Sequence, residues 1–569
     1  MHSDILAFVM VEPPCSWRKL AGRAGGIAAL ACLLAALGCG GKEAVSSAGA
    51  GLIRADRIAA HTRFLSRDAL EGRGIGGRAE ELATEYIAAQ FALAGAAPAG
   101  DDGTYFQAVP LVGVRTQPDA MLSWSAGAGA GRLRYLDDFV AVNHRQQALS
   151  EVDADAVYVG HGIVAPEFEW DDYKGVDVKG KIVVLFTNEP ASDDPAFFGG
   201  PALTYYGRWT FKYEEALRQG AAGCLIIHTT PTAGYPWQVV RNSWSGREPF
   251  VELGPDEEAL SVAGWLHVDA AASMLAATGK SLDELLAMSE SRAFQPLPLS
   301  IRIRARIPSS VTPIRTRNVV AVIAGGNAQK RDEAVLYTAH WDHLGVGIPV
   351  DGDNIYNGAV DNATGVSLLL ELARAFGESA ARPQRSILFA AVGAEEGGLR
   401  GSQYYSQHPF IPVGRTAVNI NFDGLAPLGR TRDITLPGFE RTTLRPVVEA
   451  LAEESRLLIR PEAHPEQGYY YRSDHFSLAK VGVPAFSVKL GVDYVDRPEG
   501  WGVEAQEDYT ANRYHQPSDE FDPAWDFSGL EQLARFGFEL GLRAANAPDL
   551  PTWNEGDEFL PARLRSWER

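Results

Sequence analysis

Cysteine is scarce, with four residues in a chain of 569. That excludes a disulfide framework, so stability has to come from burial and from any metal the chain holds. Basic residues are also short: 52 Lys and Arg stand against 72 Asp and Glu, for a net charge of −20. The cationic footprint that nucleic acid requires is therefore missing. No apolar run reaches the roughly 20 residues of a membrane-spanning helix. The pattern H-E-x-x-H is missing, which removes single-zinc peptidases of that kind, and G-x-S-x-G is missing too. Cys224, in GCLIIH, has no activating neighbour in sequence and reads as a core residue.

What is present describes a soluble globular chain, 46% hydrophobic and 22% charged, too long for one ordinary domain. Arg18, Lys19 and Arg23 precede the apolar run GIAALACLLAALG (26–38), the layout of an export signal. ALGC (36–39) is similar to a bacterial lipobox, although the leucine usual three before the cysteine is missing and ALAC, ending at Cys32, competes. We read 1–38 as a lipoprotein-type signal and 39–52 as a flexible tether. A lipidated Cys39 would be the chain's one link to a membrane. The expected location is the cell envelope (outer membrane or periplasm), with plain secretion after Gly38 as the alternative.

Apolar residues three and four apart predict helices between Ala55 and Ala97. Between them, GRGIGG (72–77) matches the dinucleotide spacing G-x-G-x-x-G. It follows a helix-like segment where that motif needs a strand, so it reads as a loop. From about 134 to 295, short strand-like runs (ADAVYVG, KIVVLF, GCLIIH) alternate with aromatic-rich loops, as in an inserted α+β module. LPLSIRIRARI (297–307) alternates apolar and polar residues, as a half-buried strand near a sheet edge does. Beyond it, AVLYTAH, SILFAAVGAEE, AVNINFDG and PAFSVKL alternate with helical segments. That is the pattern of a largely parallel sheet covered on both faces. SGLE (528–531) reads as a capping box opening a last helix that runs to about Ala545, followed by a polar, extended tail.

In open α/β sheets, ligands bind beyond the carboxyl ends of the strands. Those ends carry His340 and Asp342, then Glu395 and Glu396, then Asp423; Asp361 precedes a helix and His515 lies in RYHQPSDEFD. Acidic and imidazole groups gathered at buried strand ends repel and desolvate one another unless cations join them. Five nitrogen and oxygen donors with no thiolate point to a metal centre other than a cysteine-type zinc cage.

The ordered set AHWD, GAVDNATG, GAEE, NFDG, RSDHF and YHQPSDEFD resembles the two-zinc exopeptidases. That family includes secreted bacterial aminopeptidases, glutamate carboxypeptidases, transferrin-receptor-like proteins and glutaminyl cyclases. The resemblance covers 53–135 and 296–545; the middle segment, 136–295, with YVGHGIVAPEFEWDDYKGVDVKGKIVV, resembles an inserted protease-associated (PA) domain, and 546–569 is left as the tail. It implies an α/β, three-layer zinc-exopeptidase fold and two Zn2+ ions per chain. It makes Asp361 the bridging carboxylate, with Glu396 and His515 on one zinc and His340 and Asp423 on the other. It also makes Glu395 the general base acting on a shared water, Asp342 the group that orients His340, and Asp361–Asn362 a cis peptide. A tyrosine before the SDH motif would steady the oxyanion, and spacing favours Tyr470 over Tyr469 and Tyr471. His343 and His475 are expected to line the pocket without binding metal.

Peptides are the expected substrates and an aminopeptidase the expected activity. A carboxypeptidase, with Arg472 taking the substrate carboxylate, and an inactive receptor-like binding protein are the alternatives.

Overall fold

A computed structural model describes residues 49–568 apart from 128, 234, 235, 381 and 464. The export signal, Cys39 and the tether as far as 48 lie outside the described residues. The sheet that positions the site runs in the order Ala485–Ser487, Thr416–Asn421, Ala334–His340, Ser386–Val392, Leu297–Ile323. The first four strands are parallel and the long fifth is antiparallel to its neighbour. Alternate residues of each strand face opposite layers. Val335, Tyr337 and Ala339 meet the helices Ala55–Leu65, Arg78–Leu93, Thr364–Glu378 and Ser528–Asn546. Ala334, Leu336, Leu388 and Ala390 meet Tyr405, Phe476, Trp553 and Phe559 on the other side. The sheet is thus a buried middle layer, and both faces being covered explains why its strands read as continuous apolar runs.

A second sheet holds Leu149–Tyr158, Ile182–Phe186, Gly223–His228 and Val262–His267 in parallel, with Phe139–Val142 antiparallel at the end. Cys224 is fully buried within it. Several expectations are corrected in this part of the molecule and in the tail. The alternating strand near 297 is not at an edge: Arg302–Arg306 pairs with Met121–Ser125 on one side and with Glu151–Asp155 on the other. It continues unbroken to Ile323 and passes from the second sheet into the first, so 296 is no break in the chain's structure. Its exposed arginines mislead because cross-strand carboxylates cover them: Arg302 and Arg304 pair with Asp153, and Arg306 with Asp119. The strands Met121–Ala126 and Gly129–Leu133, within the 53–135 span, pair in the second sheet.

The last helix spans Ser528–Asn546, but its N-cap residue, Phe527, makes no capping bond, and Asp526 accepts the Ser528 N–H at 2.9 Å. Glu531, the expected box partner, instead accepts the Ala55 N–H at 2.7 Å. The tail is not extended: Trp553 and Phe559 are buried and Leu560–Trp567 is a helix. Among the described residues no helix is long and apolar enough to cross a membrane.

Candidate metal centre

The strand Ala334–His340 ends on His340, which is 1% exposed. Its Nε2 lies 3.2 Å from Asp361 Oδ1 and 3.3 Å from Asp423 Oδ1. Asp361 arrives from the turn before the helix Thr364–Glu378, and Asp423 from just beyond the strand Thr416–Asn421. Glu396 follows the strand Ser386–Val392. His515 Nε2 lies 3.1 Å from Glu396 Oε2 and 3.3 Å from Asp361 Oδ2. Asp361 therefore stands between the two imidazoles, one on each oxygen. His340, Asp361 and Glu396 each offer a ligand atom within 4.8 Å of the others. The Asp361–Asn362 peptide is cis.

Three carboxylates and two imidazoles crowded at these distances are the donor chemistry of zinc-type divalent ions. The fold brings together the five side chains that the sequence singled out.

Glu395 is half-buried beside them, and its carboxylate has no hydrogen-bond partner among the described residues. Burial, then the neighbouring Glu396 and Asp423, push its pKa well above the usual carboxylate range, against the pull of His340. Cations in the cluster would reverse that influence. Asp342 serves two partners. Its carboxylate accepts the Glu395 N–H at 3.1 Å, and its own carbonyl lies 3.1 Å from His340 Nδ1, closer than its carboxylate at 3.8 Å. It thus holds both the proposed base and the imidazole whose other nitrogen faces the donors.

Other supports escaped the sequence reading. Asp519, in the same YHQPSDEFD stretch as His515, is 1% exposed and accepts the Val360 and Asp361 N–H groups at 3.0 and 3.1 Å. Ser473 donates to Asp423 Oδ2 at 2.5 Å and accepts from Asn421 Nδ2 at 2.8 Å. His343 is closer in than expected, with Nδ1 2.6 Å from Glu396 Oε1. Nothing in local sequence distinguishes these residues, because their roles depend on partners distant in the chain.

The tyrosines are a correction. Tyr470 donates to the Ala485 carbonyl at 2.9 Å, Tyr471 to Glu558 at 3.0 Å and Tyr469 to Gln467 at 2.6 Å. All three hydroxyls are committed to those acceptors. Tyr514 is instead 47% exposed, and its ring stacks on His515 with centroids 3.9 Å apart. Burial, followed by Asp361, Glu396, Glu395 and Asp423, raises its pKa, so the phenol feels the whole donor cluster. His475 is buried with both ring nitrogens unpartnered, and burial lowers its pKa to about 3; it packs edge-on to Tyr470.

Residues 318–535, from the long strand to the last helix, match Peptidase family M28. The matched segment contains every donor described above. An aminopeptidase NAALADL1 of Rattus norvegicus is 31% identical over 138 residues, which is 23% of this chain and 17% of that protein. A vacuolar membrane protease of Coccidioides posadasii (strain C735) is 30% identical over 132 residues, 23% of this chain and 12% of that protein. The chain thus matches less than a fifth of either relative's own length. Among solved structures, an aminopeptidase from Aneurinibacillus sp. strain AM-1 is 21% identical, covering 88% of this chain and 96% of that one, with a TM-score of 0.46. A zinc aminopeptidase from Bacillus subtilis is 17% identical, with 89% and 97% coverage and a TM-score of 0.39.

Proposed function

We propose that the protein is a metal-dependent exopeptidase that removes N-terminal residues from peptides, with two zinc ions held by His340, Asp361, Glu396, Asp423 and His515. The carrying observation is the arrangement of those donors around Asp361 with Glu395 left free beside them. When bound, such ions supply Lewis-acid polarisation of the scissile carbonyl and easier deprotonation of water. Glu395 takes the proton from water and returns it to the leaving amine. Asp342 fixes the Glu395 backbone while this happens. Tyr514 is positioned to donate a hydrogen bond to the substrate oxygen as the carbonyl becomes tetrahedral, the role first assigned to Tyr470.

The segment 136–295 is read as a PA-type module that limits substrate length. Tyr205 supports this by packing against Phe476 and Tyr471, beside the SDH turn, with ring centroids 4.7 and 5.9 Å apart. Export and lipidation at Cys39 remain proposals from the sequence.

The test follows one short peptide with free ends, N-acetylated, and C-amidated, using zinc-loaded protein. Loss of cleavage on acetylation alone is the expected result. Loss on amidation alone would replace the reading with a carboxypeptidase. Arg472 would be a poor carboxylate receptor there, since it already donates to the Gln467 carbonyl at 2.7 Å and lies over the Tyr469 ring. If none of the three peptides is cut, the peptidase reading fails and a binding role takes its place.

A further inference from the structure

The stretch GRGIGG, a loop by sequence, delivers a buried arginine to the metal centre. Arg73 is 1% exposed. Its guanidinium spans four backbone carbonyls: Nε donates to Trp341 at 2.8 Å, Nη1 to Leu65 at 2.7 Å and to Asn357 at 2.6 Å, and Nη2 to Gly358 at 2.8 Å. Among the described residues it forms no ion pair, which is unusual for a buried arginine. Burial lowers its pKa to about 10, with Asp519, Asp361, Asp342 and Glu396 opposing, so it stays charged at neutral pH.

The carbonyls it holds are not arbitrary. Trp341 sits between His340 and Asp342. Gly358 lies three residues before Asp361, and a Cβ there would come within 2.2 Å of the Asp361 carbonyl and 2.5 Å of the His343 ring. The His343 N–H in turn faces the Arg73 carbonyl at 3.4 Å. Between these two ligand-bearing segments runs the hairpin Gly345–Val350 and Asp353–Tyr356, closed at its base by the pair Gly345 and Tyr356. Gly72, at φ +62°, lies against that base: a Cβ would stand 2.4 Å from the Tyr356 carbonyl and 2.6 Å from that of Gly345.

We propose that Arg73 is a positioning residue of the metal centre, its guanidinium fork tying the Trp341 carbonyl to those of Asn357 and Gly358 and so fixing His340 and Asp342 relative to Asp361. The planar fork is what the geometry requires; a lysine ammonium keeps the charge but cannot reach four carbonyls in that layout. The inference rests on the metal-centre reading above and is independent of which bond the enzyme cuts.

The test strips the purified protein with chelator and titrates cobalt, followed by its visible absorption bands and by calorimetry. Arg73→Lys is expected to bind cobalt about 10- to 100-fold more weakly, the usual effect of losing a partner that orients a ligand, and to give altered bands. A staple that served the fold alone would lower the thermal midpoint of the metal-free protein and leave the cobalt affinity of the folded fraction unchanged. A folded Arg73→Lys protein that titrates like the wild type overturns the proposal.

If that variant does not fold, Arg73→Gln decides. Its planar amide can still donate to one or two of the four carbonyls but cannot span them all. Weaker cobalt binding by the folded variant supports the proposal, and wild-type affinity overturns it. A wild type that binds cobalt but cuts no peptide sinks the exopeptidase reading and leaves this inference standing. A wild type that binds no cobalt sinks both.

Discussion

At the scale of single residues, the roles separate by what each side chain touches. Among the described residues the Glu395 carboxylate makes no hydrogen bond or ion pair, and its backbone N–H donates to Asp342. Glu395→Gln is therefore expected to lower kcat by about 10²- to 10⁴-fold, the range for losing a general acid–base group. Its cobalt affinity should remain near that of the wild type; a large loss of metal would make Glu395 a ligand. Tyr514 and Tyr470 give a paired comparison. Tyr514→Phe is expected to cut kcat by about 10²-fold with little change in KM, as removal of an oxyanion donor does. Tyr470→Phe orphans the buried Ala485 carbonyl, for a stability loss of about 1–3 kcal/mol, and leaves kcat nearly intact. The opposite pattern in steady-state kinetics would return the oxyanion role to Tyr470.

At the scale of elements, the strand Ala334–His340, which ends on His340, is backed closely by a helix. The Tyr337 hydroxyl donates to the Gly537 carbonyl of the helix Ser528–Asn546 at 2.8 Å. One turn on, a Cβ at Gly541 would fall 1.8 Å from that same hydroxyl. Gly541→Ala is expected to cost about 1–3 kcal/mol, as overpacking does, read from the denaturation midpoint. Tyr337→Phe in the same chain removes the colliding oxygen, so the double variant should lose less than the sum of the two single changes. Additivity would show that the helix relaxes away from the strand.

For the whole molecule, two perturbations act in distinct places. Chelation leaves Asp361, Glu396, Asp423 and Glu395 crowded without cations, and metal that binds the folded state alone stabilises it by mass action. The thermal midpoint should fall on chelation and recover with added zinc. His144 responds to acid. Its ring packs between Tyr213 and Phe250, and burial, with Arg400 adding to it, lowers its pKa to about 4. The unfolded chain takes a proton there below about pH 6.5, whereas the folded chain resists until about pH 4. The stability that the neutral ring contributes is thus lost as pH falls between those values. His144→Phe should flatten the stability-versus-pH curve in that window; an unchanged slope would mean that the folded protein hydrates the ring.

The sequence alone picked out the side chains that gather around Asp361, and the two-sided sheet. Strands buried on both faces leave a strong apolar signature, and acidic or imidazole groups at their ends stand out against it. It also marked SDH and YHQPSDEFD as motifs without saying which of their side chains would matter. The tertiary structure decided that the Tyr514 ring stacks on His515, that Asp519 and Ser473 hydrogen-bond the segments bearing Asp361 and Asp423, and that the tail folds back as a helix. It carried the strand at 297 through both sheets and set Arg73 of the GRGIGG loop against four backbone carbonyls. The division has a physical cause. Burial is encoded locally by periodicity, whereas a hydrogen bond is satisfied by whatever acceptor the fold brings near: Arg73 finds its carbonyls at Leu65, Trp341, Asn357 and Gly358, and local sequence pattern alone does not bring them together.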